Sequence, residues 1–412
     1  MKRSIIVSSL QLSMLALSAC GSSSHPSPTT NDGGTESLDG SRRAVTTVAT
    51  SISANDYHTC AVLTSGEVEC WGQNISGELG NGTDSSDGSL VPVLVKGISN
   101  AMAVAAGGGY TCGLLKGGEV QCWGLNFNGE LGNGTTTNSD IPVAVRGISN
   151  AVAIAAGSGS TCATLSDGSS QCWGDNTYGE LGNGTTVNSP TPVTVTGITN
   201  ARVSKITAQV PVVVGSGDAC AVLSDGSVQC WGDNTYGQLG SGAMSTSPVS
   251  SPAAVSGVTN AVAVAEGIFW GCALQSGGTI RCWGIPTYAA YLGASATLNG
   301  ITPVTVTVTG ITNAIAVAAG DMFMCAVLSS GTVQCWGGNS DGELGIGFGA
   351  PDSNVPVTVT GISDAIAVSG ASEHACVLLR GGKVQCWGNN VSGQLGTGTT
   401  VNSAVPVTVV GF

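Results

Sequence analysis

Residues 162–174 read CATLSDGSSQCWG, and the pattern of this stretch indicates the fold because it recurs along the chain. Its closing triplet Cys-Trp-Gly occurs seven times in 412 residues, at steps of 52, 50, 58, 52, 53 and 51 residues, and each triplet follows another cysteine by ten residues. A period of this size indicates one array of repeated units rather than two or three separate domains. The triplets begin at Cys70, Cys122, Cys172, Cys230, Cys282, Cys335 and Cys386.

Each unit reads as four short strands. In the unit that contains residues 162–174, the segment 151–156 is a run of small apolar residues, which is typical of a strand buried on both faces. Residues 161–165 and 170–174 flank a Ser-Asp-Gly hairpin signal, with glycine where a positive φ is needed. The alternating segment 142–145 adds a fourth strand. Four strands of about five residues make one propeller blade, so we predict an all-β, seven-bladed β-propeller.

The two ends of the chain predict how the ring closes. The first unit lacks a leading Pro-Val strand and begins with residues 48–54, whereas the last unit runs past its triplet to Pro-Val-Thr-Val at 406–409. We therefore expect the C-terminal strand to pair with the first blade, which would remove two open sheet edges. The propeller would span residues 46–412, and we expect this body to be monomeric.

The composition limits the class of partner. Charged residues make up only 9% of the chain, and 12 basic against 25 acidic residues give a net charge of −13. Such a surface repels nucleic acid and anionic lipid headgroups, so we predict no nucleic-acid partner. It favours a neutral or basic protein partner, although an acidic surface also serves simply to keep a protein soluble.

The first 45 residues are predicted to form a targeting signal and a flexible linker. Lys2 and Arg3 precede an apolar run, 5–17, that is shorter than the about 20 residues of a membrane span. Ser18 and Ala19 then lead into Cys20, a pattern that resembles the bacterial lipobox. The resemblance implies a signal peptide at 1–19 and a lipid on Cys20 that anchors the protein in the cell envelope, at the outer membrane of a diderm cell. The alternative is an ordinary signal peptide. Residues 20–45, rich in Ser, Pro and Gly, would form a flexible linker.

The other fourteen cysteines pair within units. The two cysteines of a unit lie on the arms of one hairpin, directly opposite, where Cα atoms are about 4.5 Å apart, near the lower edge of disulfide geometry. An exported protein meets oxidising conditions. The ten-residue spacing differs from that of zinc sites, so we predict no metal site and no cofactor. The predicted disulfides are Cys60–Cys70, Cys112–Cys122, Cys162–Cys172, Cys220–Cys230, Cys272–Cys282, Cys325–Cys335 and Cys376–Cys386.

The units resemble the regulator of chromosome condensation repeat. The motifs are His-Thr-Cys-Ala-Val-Leu at 58–63, Gly-Glu-Val-Glu-Cys-Trp-Gly at 66–72 and Gly-Glu-Leu-Gly-Asn-Gly at 77–82, and the last unit repeats them over 374–396. The resemblance covers about residues 46–412 and implies a seven-bladed propeller. Members of that family include a nuclear exchange factor, an ultraviolet sensor and a secreted β-lactamase inhibitor. The resemblance therefore implies that one end of the propeller binds a partner, and it does not imply a particular enzymatic or signalling activity.

In a repeat protein, the positions at which the copies differ are the candidates for specific binding of a partner. The position two residues before the first cysteine carries aromatic or imidazole side chains in blades five, six, seven, one and two, which are contiguous in a closed ring. We predict that these residues and their neighbours form an amphipathic binding arc. The alternative is a structural slot whose side chains bond within their own blade. The predicted arc comprises Tyr57, His58, Tyr110, Phe269, Trp270, Met322, Phe323 and His374.

An enzyme would need a convergent acid, base or nucleophile. The body contains two imidazoles, His58 and His374, and the glutamates that recur at equivalent positions of the units read as turn residues. We therefore predict no catalytic residue, and the leading hypothesis is an envelope-anchored module that binds a protein. The alternatives are a hydrolase or lyase with a loop-built site and, by family analogy, an exchange-factor-like role. The recurring glutamates are Glu78, Glu130, Glu180 and Glu343.

Overall fold

The computed structural model describes residues 48–202, 212–215, 217–284, 292–294 and 304–412. The predicted signal peptide, the linker and Cys20 lie outside these residues. Within them, 28 β-strands form seven four-stranded antiparallel sheets, as expected for the seven blades. Among the same residues, no helix has the length and apolar character needed to cross a lipid bilayer.

Each blade takes four consecutive strands, which we call A, B, C and D in chain order. The first blade contains β1 (Ala49–Asn55), β2 (His58–Leu63), β3 (Val68–Asn74) and β4 (Ser85–Leu94). The second contains β5 (Ala101–Ala106), β6 (Tyr110–Leu115), β7 (Val120–Gly124) and β8 (Ser139–Ala144). The third contains β9 (Ala151–Ala156), β10 (Ser160–Leu165), β11 (Ser170–Gly174) and β12 (Ser189–Thr194). The fourth contains β13 (Val212–Val214), β14 (Asp218–Val222), β15 (Val228–Asn234) and β16 (Ser245–Ala254).

The remaining three blades repeat this order. The fifth contains β17 (Ala261–Glu266), β18 (Trp270–Gln275), β19 (Ile280–Gly284) and β20 (Val304–Thr307). The sixth contains β21 (Ala314–Ala319), β22 (Phe323–Leu328), β23 (Val333–Gly337) and β24 (Ser353–Thr358). The seventh contains β25 (Ala365–Gly370), β26 (His374–Leu379), β27 (Val384–Gly388) and β28 (Ser403–Thr408). The A strands line the centre of the ring, and the D strands lie at its outside.

Strands B and C of every blade are joined by a disulfide. The register places the two cysteines of each hairpin directly opposite, as in the pair Cys60 and Cys70. All seven predicted disulfides are present, with Cα–Cα distances of 4.0 to 4.1 Å, somewhat shorter than the sequence led us to expect. All fourteen cysteines are buried, so each disulfide lies inside its blade.

The strand pairing at the chain ends differs from the expectation. Strand β28 pairs with β27 inside the last sheet, and the first blade is complete with its own β4. The reason is that the Pro-Val strand follows its hairpin as strand D instead of preceding strand A. The C-terminal segment still contacts the first blade, because the Gly398 N–H donates to the Leu90 carbonyl at 2.9 Å and the Phe412 ring lies 5.8 Å from that of Trp71.

Neighbouring blades are joined through the tryptophan of the Cys-Trp-Gly triplet. The Trp123 indole and the Thr111 hydroxyl both donate to the Glu78 carbonyl of the preceding blade, at 2.8 and 2.9 Å. At the joint between the last blade and the first, Trp71 and Thr59 donate to the Gln394 carbonyl at 2.9 and 3.0 Å. The closing joint thus repeats an interior joint, and the ring is closed. The same tryptophan bond is made by Trp173, Trp231, Trp283 and Trp387.

The close approach at these joints requires glycine. Gly80 adopts a φ of 64°, and a Cβ atom at this position would lie 2.7 Å from the Trp123 Nε1 atom. Any other residue would therefore strain the backbone and collide with the indole. The recurring Gly-Glu-Leu-Gly segment is, for this reason, a packing motif between blades.

Candidate functional site

One end of the ring is built from the A–B turns and the C–D loops, and we call it the loop face. The two segments are tied together by backbone hydrogen bonds of 2.9 Å, from Gln73 N to Tyr57 O and from Leu125 N to Gly109 O. The B–C hairpin turns and the D–A connections meet at the opposite end, which we call the hairpin face. There Ala101 N donates to Gly66 O at 2.8 Å.

Five residues of the predicted binding arc are buried at the joints between blades. These side chains are 0 to 1% exposed, and the two histidines and the tyrosine bond to the next blade rather than to their own. His58 Nε2 lies 2.8 Å from Thr111 Oγ1, and the Tyr110 hydroxyl donates to the Ser160 carbonyl at 2.7 Å. These five side chains therefore fill the joints between blades, and their polar contacts hold neighbouring blades together. The five are His58, Tyr110, Trp270, Phe323 and His374.

The two histidines of the slot are uncharged near neutral pH. Burial lowers the pKa of His58 to about 4 and, together with the proximity of His58, lowers the pKa of His374 to about 3. The His374 Nε2 atom lies 2.9 Å from the Thr59 hydroxyl across the closing joint. Binding through the buried part of the arc stays a prediction. At the surface, a partner can contact Tyr57, which is 39% exposed, and the half-buried Phe269 and Met322.

The C–D loops carry exposed apolar side chains that the sequence analysis did not select. They follow a buried asparagine that shapes the loop: Asn126 accepts from the Leu131 N–H at 2.9 Å and donates to the Thr135 carbonyl at 3.1 Å. The next residue, Phe127, is 71% exposed, and Ile75 and Val391 occupy the same position in other blades. The repeated asparagine was the sequence signal that marks this position.

Two tyrosines of these loops pack against the A–B turn of the next blade. The Tyr236 ring lies 4.6 Å from the Phe269 ring, in an edge-to-face arrangement. Tyr178 lies beside Gly217, whose Cβ, if added, would be 3.4 Å from the tyrosine ring. Both tyrosines keep part of their surface in solvent. The loop face therefore presents aromatic and aliphatic groups around the axis of the ring.

The loop face and the hairpin face differ in where lysine and arginine residues lie. Among the described residues, the A–B turns and C–D loops contain no lysine or arginine. The nearest cationic side chains, those of Lys96 and Arg146, lie against Gly82 and Gly134 of the C–D loops. The other described cations lie in hairpin turns, in D–A connections or on strand β19. The solvent-accessible carboxylates of the loop face include Asp56, Asp84, Asp175, Asp233, Asp321, Asp341, Asp352 and Glu373.

Three of these carboxylates lie near one another at the centre of the loop face. The Ser372 hydroxyl donates to Asp56 at 2.7 Å, and the Asn389 amide donates to Glu373 at 3.0 Å. Burial, and then the neighbouring Asp56 carboxylate, raise the pKa of Asp321 to about 6. The carboxylates of Asp56 and Glu373 also contribute to the raised pKa of Asp321, and no described lysine or arginine lies in these turns and loops.

The recurring glutamates are turn residues, as interpreted from the sequence. Glu78 accepts the Ser76 N–H at 2.7 Å, and Glu180 accepts the Tyr178 N–H at 2.9 Å. Glu343 does the same with the Asp341 N–H at 2.9 Å. Burial raises the pKa of Glu180 to about 7 although the backbone bond opposes the shift. Each carboxylate thus closes its own loop rather than converging on a common centre.

One group of possible metal ligands occurs in the described residues. The sulfur atoms of Cys220 and Cys230 and a carboxylate oxygen of Glu266 lie within 4.8 Å of one another. The two sulfurs are joined in a disulfide, so neither is the thiolate that a metal ion needs. This group is therefore a poor metal centre.

Two models of the Regulator of chromosome condensation (RCC1) repeat match this chain. One matches residues 65–114, 117–164, 167–208 and 381–412. The other matches residues 49–78, 103–130, 151–180, 212–238, 314–343 and 365–394. Together they cover more than half of the chain and fall in six of the seven blades.

Similar proteins come from plants and animals. The chain is 29% identical over 362 residues to the Ultraviolet-B receptor UVR8 of Arabidopsis thaliana. The aligned region covers 87% of this chain and 69% of that protein. It is 31% identical over 301 residues to the human E3 ubiquitin-protein ligase HERC2, which covers 72% of this chain. The chain spans only 5% of the length of that ligase.

Solved structures share the fold at low identity. Human WBSCR16 has a TM-score of 0.70 and 21% identity, covering 84% of this chain and 94% of that one. Yeast RCC1 (Prp20), in a structure with Kap60 bound, has a TM-score of 0.69 and 19% identity, covering 89% of this chain and 86% of that one. At these identities the likeness shows the propeller fold.

Proposed function

The chain belongs to the regulator of chromosome condensation repeat family, and from this premise we propose that it is a protein-interaction module that binds its partner through the loop face. Family membership makes protein binding the expected activity, since a yeast relative has a crystal structure with Kap60 bound and has binding properties to Gsp1p and histones. The fold alone does not choose a face. The choice rests on the surface of this chain.

The proposal rests on one feature of the loop face: exposed apolar side chains lie beside carboxylates that have no lysine or arginine near them in the same loops. Phe127 is 71% exposed, and Ile75 and Val391 are each 59% exposed, within loops that contain no described lysine or arginine. Apolar and aromatic groups supply the buried centre of an interface. Carboxylates around them steer and select a partner of opposite charge. The partner we propose is a protein segment that presents lysine or arginine beside apolar side chains.

The loop-face variant Phe127→Ser with Val391→Ser is expected to lose its partner. The measurement is capture of envelope proteins from the protein's own cell by the immobilised body, residues 46–412, a single compact unit. The matched control is Met102→Ser with Ile366→Ser, which removes two apolar side chains, each 41% exposed, from the starts of A strands near the hairpin face. Equal capture by the loop-face variant, or equal loss in the control, would contradict the assignment of the face.

We further propose that the module is held at the cell envelope by lipid on Cys20. The support is the order of charged, apolar and small residues before Cys20 in the sequence. Cells supplied with labelled palmitate are expected to label the wild-type chain and not Cys20→Ala. Cys60→Ala is the control and should keep the label, because Cys60 belongs to a disulfide inside the first blade. An unlabelled wild-type chain would refute the anchor.

A further inference from the structure

Three joints between blades share one polar contact. The side chain two residues before the first cysteine of a unit bonds to a threonine hydroxyl of the next blade. His58 Nε2 lies 2.8 Å from Thr111 Oγ1, and the Thr161 hydroxyl donates to the Tyr110 hydroxyl at 3.0 Å. The closing joint repeats the contact between a histidine and a threonine. Each of these contacts joins two groups that are uncharged near neutral pH.

The joint between the fourth and fifth blades is built from different residues. The fourth blade has Asp218 at the position of the histidine or tyrosine, and the fifth blade has Gly271 at the position of the threonine. Glu266, at the end of strand β17, replaces the alanine that the first three blades have at its position. A Cβ atom at Gly271 would lie 2.8 Å from Glu266 Oε2, so the glutamate occupies space in which a threonine side chain would lie. Two acids therefore stand where the other joints have a neutral pair.

Asp218 and Glu266 are hydrogen-bonded to each other across this joint. Gly215 borders both side chains, since a Cβ atom there would contact Asp218 Oδ1 and Glu266 Cβ. Asp218 Oδ2 and both carboxylate oxygens of Glu266 are buried, with no partner elsewhere in the described part of the chain. An ionised carboxylate has no hydrogen to donate, so two ionised groups cannot make this bond. One member of the pair must therefore hold a proton.

The surroundings of the pair favour that proton. Burial, and then the carboxylates of Asp233 and Glu180, raise the pKa of Asp218 well above its usual range, although the hydrogen bond with Glu266 opposes the shift. Burial and the charge of Asp218 raise the pKa of Glu266 in the same direction. No described lysine or arginine lowers the pKa of either group. The pair therefore keeps a proton at pH values at which an exposed carboxyl group has lost it.

We propose that one proton shared by Asp218 and Glu266 holds the fourth and fifth blades together, and that this joint loosens when the surroundings become alkaline. Loss of the proton leaves two adjacent buried carboxylates that repel each other, and a buried charge without a partner is costly. The joints made by histidine, tyrosine and threonine depend on no shared proton between acids. The response to pH is therefore confined to one place in the ring.

The same joint reaches the loop face through two aromatic rings. Tyr236, in the C–D loop of the fourth blade, packs edge to face on Phe269 in the A–B turn of the fifth, with ring centroids 4.6 Å apart. Phe269 follows Glu266 by three residues, so loosening of the joint would separate the two rings. An alkaline pH would thus change the shape of the loop face at this joint, whichever partner binds there.

The direction of the pH dependence follows from the two states of the chain. In the unfolded chain the pKa values of aspartate and glutamate are about 3.9 and 4.3, whereas the folded pair keeps its proton above them. The stability that the proton contributes is complete below about pH 4 and is lost as the pH rises towards the raised pKa of the folded pair. For one proton, the equilibrium constant of unfolding then rises by at most about tenfold per pH unit.

The test compares wild type with Asp218→Asn combined with Glu266→Gln, in which amides of nearly the same shape make the hydrogen bond without a titrating proton. Unfolding in urea, with the disulfides intact, is measured at about pH 5 and about pH 8. Between these values the unfolding constant of wild type should rise at least about tenfold more than that of the double variant. Glu119→Gln, at an exposed hairpin position, is the control and should follow wild type.

Infrared spectroscopy of the folded chain gives a second readout that needs no unfolding. At about pH 9, above the pKa of about 7 of Glu180, wild type should show the carbonyl band of a protonated carboxyl group, and the double variant should lack it. A folded wild-type chain without this band would overturn the proposal even if the double variant does not fold. An equal change of the unfolding constant with pH in wild type and the double variant would overturn it as well.

Discussion

Trp71→Ala is expected to lower the free energy of unfolding by about 3 to 5 kcal/mol, the usual cost of truncating a buried tryptophan. Trp71 is fully buried at the joint between the last and first blades, and its indole donates to the Gln394 carbonyl at 2.9 Å. The substitution removes this bond, opens a cavity in the joint and removes the contact with Phe412. The measurement is a guanidinium unfolding curve with the disulfides intact.

The matched substitution Trp123→Ala tests whether the ring is closed. Trp123 makes the same bond at an interior joint, to the Glu78 carbonyl at 2.8 Å. In a closed ring the two joints are equivalent, so both variants should lose similar stability. Phe127→Ala, at an exposed position, should stay within about 0.5 kcal/mol of wild type. A much smaller loss for Trp71→Ala than for Trp123→Ala would mean that the ring is open.

Reduction of the seven disulfides is expected to unfold the body at about 37 °C. Each disulfide closes a loop between residues ten apart, as in Cys60–Cys70. The chain-entropy model assigns about 2.7 kcal/mol to a loop of this length. Seven such contributions exceed the about 5 to 15 kcal/mol by which folded domains are usually stable. The alanine-rich A strands and the glycine-rich loops leave few large apolar side chains to compensate.

The experiment compares near-ultraviolet circular dichroism of the tryptophans before and after reduction. Alkylation followed by intact mass determines how many cysteines have been reduced. The graded control is Cys60→Ala with Cys70→Ala, which should lose about 2 to 3 kcal/mol and remain folded. A fully reduced chain that keeps its dichroism and melting temperature would show that the blades need no covalent support.

The sequence determined the parts of this protein that depend on neighbours in the chain. The hairpin around residues 162–174, the cysteine pairs and the buried tryptophans follow from turn chemistry and a period of about 50 residues. These features are local because a β-hairpin brings together residues only ten apart. The number of blades then follows from counting copies.

The contacts between blades become visible only in the folded ring. His58 bonds Thr111, 53 residues away, and His374 bonds Thr59, 315 residues away, so the slot that suggested a binding arc fills the joints. The Pro-Val strand belongs to the blade before it, a choice that its own pattern leaves open. Asp218 and Glu266 are ordinary acids in the sequence and become a buried pair only when the fourth and fifth blades pack together. Contacts of this kind depend on the packing of whole blades, which no local periodicity encodes.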